Sequence, residues 1–162
     1  VAVGTGVSEA VTDPVIDPVS EAAAPQSICA GSALEDGGLG VRFEVLVGGH
    51  RTPAFVIRYD GQVYGYLNQC AHVPMELDWS EGQFFETSGL YLMCATHGAT
   101  YEPHTGHCVG GPCRGGALQP VRVEERPTAA DGVSPDAALA GTTVVWWPDA
   151  YIQVPDAPAS SA

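Results

Sequence analysis

No run of about ten to twelve residues in this chain keeps a helical period; apolar residues alternate instead over short stretches cut by glycine and proline. Over residues 41–47, Val41, Phe43, Val45 and Val47 alternate with Arg42, Glu44 and Leu46, the two-residue period of a half-buried strand. Gly48-Gly49 breaks the pattern and residues 54–59 resume it. Asp60-Gly61 then stands between residues 55–59 and 63–67, and an Asp-Gly pair between two apolar runs predicts a tight hairpin. Further strands are expected over residues 90–93, 100–102, 121–125 and 142–147. The fold class is therefore all-β, an antiparallel sandwich or small barrel. Residues 127–141, rich in Ala, Asp, Pro and Gly, are expected to form a long hairpin loop.

The organisation reads as a flexible acidic tail over residues 1–27, one domain over 28–152 and a second tail over 153–162. The first stretch carries Glu9, Asp13, Asp17 and Glu21 with no cation and little periodicity, and an amphipathic helix over residues 7–11 is spoiled by Pro14 and Pro18. Val3-Gly4-Thr5-Gly6 has no strand–helix context and receives no nucleotide role. A chain of 162 residues supports one core, since proteins near 150 residues bury roughly 68–70% of their unfolded surface.

Charge narrows the partners. Nineteen Asp and Glu face six Arg and no Lys, for a formal charge of −13 at pH 7. So few cations build no face for nucleic acid or an anionic membrane, and a chain without Lys has neither a Lys Schiff base nor a Lys-dependent phosphate loop. No segment approaches the roughly 20 apolar residues that span a bilayer, and residues 1–27 lack the basic and apolar regions of a secretion signal. The expectation is a cytoplasmic protein. Five cysteines, an odd number, do not make a fully paired disulfide scaffold. Some of these thiols are candidates for metal ligation.

Cys70-Ala71-His72 and Cys94-Ala95-Thr96-His97 each put one thiol and one imidazole into a short turn after an expected strand. Isolated core Cys and His residues would not arrive as two spaced pairs at strand ends. A structural zinc site groups its two Cys together and its two His together, whereas here each loop mixes the two. The arrangement resembles instead a Rieske-type [2Fe–2S] centre, in which two His replace two Cys on one iron and the ligands come as C-x-H followed by C-x-x-H. All four positions match. The His97-Gly98 step also lets the backbone come close to such a centre.

On these residues the chain resembles the Rieske ferredoxin family. The resemblance implies that Cys70 and Cys94 bind one iron through sulfur, and that His72 and His97 bind the other through Nδ1 with their far edges toward solvent. One [2Fe–2S] cluster per chain follows. It extends to Gly110-Gly111-Pro112, which in the family folds over the cluster, and it implies an antiparallel β-sandwich or barrel base carrying an inserted cluster-binding subdomain, its loops within residues 68–116. The 21 residues between His72 and Cys94 exceed the usual spacing. The excess is assigned to acidic, aromatic residues 76–87, expected as a surface excursion beside the cluster. Two thiolates and two neutral imidazoles leave the oxidised cluster uncharged, where four thiolates leave a dianion. The potential accordingly rises to about −150 to +300 mV, against about −400 mV for four-Cys ferredoxins.

High-potential respiratory members have a Ser and a Tyr hydroxyl on the cluster and its Cys sulfur. The matching positions are Ala99, which cannot donate, and Tyr101, which either donates or simply packs in the core. Their loop-bridging disulfide would fall on Met75 and Thr96. A low-to-intermediate potential is expected. Cys108 and Cys113 read first as free thiols in a reducing compartment, then as a small disulfide bracing the covering loop, and last as a rival metal site with His104 and His107. Cys29 reads as a small core residue. Trp146 and Trp147 must face opposite ways in a strand, one into the core and one toward a tail or partner.

The resemblance implies a soluble one-electron carrier between a reductase and a terminal oxygenase or related oxidoreductase. Glu76, Asp78, Glu81 and Glu86 read either as a solvated loop or as an acidic docking face. No independent substrate site is visible, so the chain reads as a component of an oxidoreductase system. The alternatives are a redox-sensing or regulatory subunit that responds to its cluster, and a zinc-bound structural module.

Overall fold

A computed structural model of the chain describes residues 24–128 and 141–156. Asp60 and Gly61 form the tip of its central hairpin with φ of 50° and 76°, the paired positive values that match a two-residue turn to twisted strands. They join β3 (His50–Tyr59) to β4 (Gln62–Leu67), with Tyr59 opposite Gln62. Gly48-Gly49 is a second such turn, joining β2 (Val41–Val47) to β3 with Val47 opposite His50. With β8 (Pro120–Val121) and β11 (Ile152–Gln153) these strands form a five-stranded antiparallel sheet ordered β11-β2-β3-β4-β8.

A three-stranded sheet, β1-β10-β9, packs against it; these strands are Gln26–Ala30, Thr142–Trp146 and Val123–Pro127. Val45, Ala54 and Leu67 of the large sheet share one buried cluster with Trp146 of the small one, and Val56 meets Val144 in another. The Phe43 and Trp146 rings stand 5.8 Å apart across this interface. Arg58 on β3 and Glu125 on β9 join the sheets in a bidentate pair at 2.8 Å for both contacts. The same guanidinium also donates to the carbonyls of Leu34 and Gly31.

The strands β4 and β8 are neighbours in the sheet, yet residues 68–119 lie between them in sequence. That insertion carries the third sheet, β5 (Leu92–Met93), β6 (Thr100–Tyr101) and β7 (Cys108–Gly110), in that order. It shares its core with the base. Leu77, Phe84, Leu92 and Tyr101 are fully buried with Phe55 and Ile57, and Phe55 stacks on Phe84 at 3.8 Å.

The expected all-β fold with an inserted subdomain is therefore present. Several details differ. The expected strand over residues 121–125 is two strands that part at Arg122, β8 pairing with β4 and β9 with β10. Strands β1, β7 and β11 were not expected, because a two- or three-residue ladder, or one made of polar residues such as Gln26 and Ser27, leaves no alternation to read. β1 starts two residues before the expected boundary at 28, and β11 reaches one residue past 152. Residues 76–87 are not a surface excursion, since Leu77, Asp78, Phe84 and Phe85 point inward. Thr128 and Gly141 are hydrogen-bonded at the root of the expected long loop. The interior of that loop, Val3-Gly4-Thr5-Gly6 and most of both expected tails lie outside the described residues.

Candidate metal centre

Cys70 and His72 sit on a loop that leaves β4; Cys94 and His97 sit on the loop joining β5 to β6. Both thiols are buried, Cys70 at 5% and Cys94 at 1% exposure. Both imidazoles are exposed, with ring centroids 5.2 Å apart in an edge-to-face arrangement. A thiol pair faces inward and an imidazole pair outward. Among the described residues no three His, Cys, Asp or Glu side chains converge on one ion-sized point, as a tetrahedral zinc site requires. A sulfur pair beside an imidazole pair suits two irons with different ligands.

Backbone bonds shape each loop. Cys70 N–H donates to Met75 O at 2.8 Å, and Cys94 N–H to Ala99 O at 2.8 Å. Gly98 N–H donates to Cys94 O at 3.0 Å. Ala95 N–H donates to Leu77 O at 2.9 Å, so the second ligand loop is tied directly to the segment that follows the first.

Sequence reasoning missed Asn68. This fully buried amide donates to Asp78 Oδ1 at 2.8 Å and accepts Leu77 N–H at 2.8 Å. Its backbone N–H reaches Pro53 O at 2.8 Å. It thereby closes the first ligand loop at its base. Asp78 also accepts Gly82 N–H at 3.0 Å and lies 3.8 Å from Arg42. Its signal in the sequence was only an Asn directly after an apolar strand, which reads equally well as an exposed turn.

Tyr101 does both things open to it. Its ring is fully buried and its hydroxyl reaches the first ligand loop, 3.1 Å from Cys70 Sγ. Burial opposes ionisation of the Cys70 thiol, but the Tyr101 hydroxyl and the backbone N–H groups of Val73 and His72 outweigh it and lower its pKa. Burial raises the pKa of Cys94, and the neighbouring Cys70 adds to the rise. Ala99 is buried and offers no donor.

Cys108 and Cys113 form a disulfide, with Cα atoms 5.7 Å apart. This overturns the expectation of two free thiols and removes the rival metal site. Of its other members, His104 stands edge-on to Tyr59 and Tyr64 at 4.7 and 5.5 Å. Cys29 on β1 is half-buried against the sheet interface, and burial raises its pKa. Trp146 is core, as one of the pair had to be. The Trp147 ring is covered by Arg122 and Arg126, at 5.1 and 5.7 Å, and its indole N–H donates to Glu124.

The acidic stretch is less available than its composition suggests. Asp78 is buried and Glu76 is paired with Arg42. Glu81 points outward, and the most exposed large apolar side chain is Trp79, at 87%. No helix among the described residues is long and apolar enough to cross a membrane.

The chain matches the Rieske [2Fe-2S] domain family over residues 25–125, well over half its length. No curated protein matches it. Among solved structures it is similar to a ferredoxin of Sphingomonas yanoikuyae B1, with 21% identity, a TM-score of 0.52, and coverage of 78% of this chain and 100% of that one. It is also similar to the terminal oxygenase of carbazole 1,9a-dioxygenase from Novosphingobium sp. KA1, with 19% identity and a TM-score of 0.51. That match covers 78% of this chain and 30% of the oxygenase. A third likeness is to a chain of the fluorene-bound oxygenase and ferredoxin complex of carbazole 1,9a-dioxygenase, with 17% identity and a TM-score of 0.54, over 85% of this chain and 32% of that one. At these identities the likenesses establish the fold.

Proposed function

The chain belongs to the Rieske [2Fe-2S] domain family, whose fold carries one [2Fe–2S] cluster, and on that premise we propose that it is a one-electron carrier. Cys70 and Cys94 hold one iron through sulfur, and His72 and His97 hold the other through nitrogen. The cluster supplies a reversible one-electron change. The observation that carries this reading is the polarity of the four side chains, with two thiols buried and two imidazoles exposed 5.2 Å apart. The sulfur side is shielded by the core, while the exposed imidazoles are where a partner comes nearest.

The donor is a reductase and the acceptor a terminal oxygenase or related oxidoreductase. This is supported by the likeness of the fold to a ferredoxin and to an oxygenase–ferredoxin complex. Glu81, exposed in the segment between the two ligand loops, offers a carboxylate to a basic partner, whose transfer rate should fall as salt rises. The unit proposed to carry this function runs from β1 to β11, with the cluster loops within residues 68–116. A cytoplasmic location belongs to the same proposal and is checked by cell fractionation. Nothing in the geometry of the site favours the sensing alternative.

The test is the EPR spectrum of the reduced protein, whose g-values separate two-Cys, two-His ligation from four-Cys ligation. Iron and labile sulfide should both be present. A His72→Cys variant should shift the spectrum and lower the potential. Unchanged g-values and potential in that variant would sink the ligand assignment.

A further inference from the structure

Residues 109–116 lie across both candidate ligand loops. At one end of this cover, Gly111 has a φ of 80° and passes so close to the second loop that a Cβ there would lie 2.6 Å from Gly98 O and 3.0 Å from Ala99 Cα. At the other end, a Cβ on Gly116 would lie 2.9 Å from the Cβ of Ala71, between Cys70 and His72. The cover therefore rests its backbone on the residue after His97 and on the residue before His72.

Backbone contacts close its root, where His107 bridges Ala117 and Leu118 N–H donates to Gly106 O at 2.8 Å, and the disulfide ties its two ends above them. Cys108 N–H donates to Gly116 O at 2.9 Å and Gly116 N–H to Cys113 O at 2.8 Å. The strand β7 pairs with β6 only at Thr100 opposite Gly110 and Tyr101 opposite Cys108, with an irregularity between them. Val109, Gly111, Pro112, Arg114 and Gly115 are all exposed. Cys113 is the inward anchor, 3% exposed and packed in the cluster of buried side chains that holds Cys70, Cys94, Ala99 and Tyr101. Cys108 is the outer sulfur, only half-buried.

The bond closes a loop of sequence separation 5. So short a loop restricts the unfolded chain less than a long one would, and the main consequence of the bond is local, holding the outer edge of the cover to a buried point beneath it. The half-buried Cys108 side is the one from which a thiolate can approach the bond, since Cys113 is closed off by the core.

We propose that Cys108–Cys113 is a thiol–disulfide exchange site, and that its opening lifts residues 109–116 off the two ligand loops. The co-reactant is a dithiol reductant. One of its thiolates attacks Cys108 Sγ, the S–S bond breaks, and Cys113 leaves as a thiolate that takes up a proton. The second thiolate of the reductant then attacks the mixed disulfide and releases Cys108, which is protonated in turn. Two electrons and two protons reach the chain, and the reductant ends as a disulfide. A one-electron cluster cannot supply this step alone, so the site answers to the thiol pool and not to the carrier's own turnover.

The inference rests on the reading that Cys70, His72, Cys94 and His97 hold the cluster. It is tested on the full-length, cluster-loaded chain, with dithiothreitol as the probe. Alkylation and mass mapping should show two additional modified residues after treatment, Cys108 and Cys113. Loss of visible absorption to an iron chelator should then become about tenfold faster, as expected when a local opening is made easier. Reoxidation should restore the slow rate. A C108S/C113S double variant should lose its cluster at the fast rate with or without dithiol, and the wild-type comparison stands alone if that variant does not fold. A bond that resists dithiol in the folded chain overturns the proposal, as does an opened bond with the release rate unchanged. A wild-type chain that takes up no cluster before any dithiol is added would remove the underlying reading and this proposal together.

Discussion

The hydroxyl of Tyr101 accepts the N–H of Ala71 at 2.9 Å and lies 3.1 Å from Cys70 Sγ. Either atom can donate in the contact with the thiol, and a thiolate at Cys70 leaves the donation to the hydroxyl. Burial pushes the Tyr101 pKa up, and the neighbouring Cys70 adds to the rise, so the hydroxyl remains a donor across the working pH range. One side chain thus ties the core of the insertion to the backbone and the thiol of the first ligand loop.

Tyr101→Phe removes that donor while keeping the ring. A hydrogen bond to a ligand sulfur favours the more negative, reduced state, so its loss lowers the potential. The differential part of a charge-assisted bond corresponds to about 30–60 mV for one electron. Redox titration of the variant against wild type, with matched visible spectra, checks this. An equal or higher potential would show that the proton does not serve the sulfur.

The wild-type potential itself should lie in the low-to-intermediate part of the about −150 to +300 mV Rieske range. Tyr101 is one hydroxyl where the high-potential type has two, and Ala99 is buried with no donor to add. Voltammetry giving a value at the top of the range would count against this.

Asn68→Ala should cost about 2–4 kcal/mol of unfolding free energy, since it strands the buried Leu77 N–H and removes a donor from a buried carboxylate. Denaturant unfolding at fixed cluster occupancy measures it. Because Asn68 closes the first ligand loop, cluster loss should quicken in the same variant. A change below about 0.5 kcal/mol, the range of ordinary surface substitutions, would mean the loop is held by its backbone bonds alone.

Acid should weaken the contact between the two base sheets. Hydrogen bonds from Arg58 and Thr142 hold the Glu125 carboxyl down at about 2, against an ordinary 4.5. Its stabilising contribution is therefore complete above pH 4.5 and is lost as pH falls toward 2. With the side chain 24% exposed, the difference amounts to about 2–3 kcal/mol. Glu125→Gln should be less stable than wild type at neutral pH, and the two should converge as pH drops through that window. Parallel stability curves across it would refute the assignment.

Much of this was legible in the residues alone. Period-two alternation and the Asp60-Gly61 pair specify a hairpin through local sterics, so β2, β3 and β4 could be read directly. The mixed Cys/His spacing carried the cofactor because iron–sulfur ligation demands given atoms at given separations. Short strands were not legible, and neither was the parting of β8 from β9 at Arg122, because a two-residue ladder is chosen by its partner.

The sequence by itself determined the all-β class, the four candidate ligands and an acidic surface, each set by local backbone preference or by donor chemistry. Only the tertiary structure decided what the intervening residues do. Burial turned residues 76–87 from an expected excursion into part of the core through Leu77, Phe84 and Phe85, and drew Asp78 inward onto Asn68. It also brought Cys108 against Cys113. These outcomes depend on which distant groups exclude water together, and a single strand of letters does not state that distance.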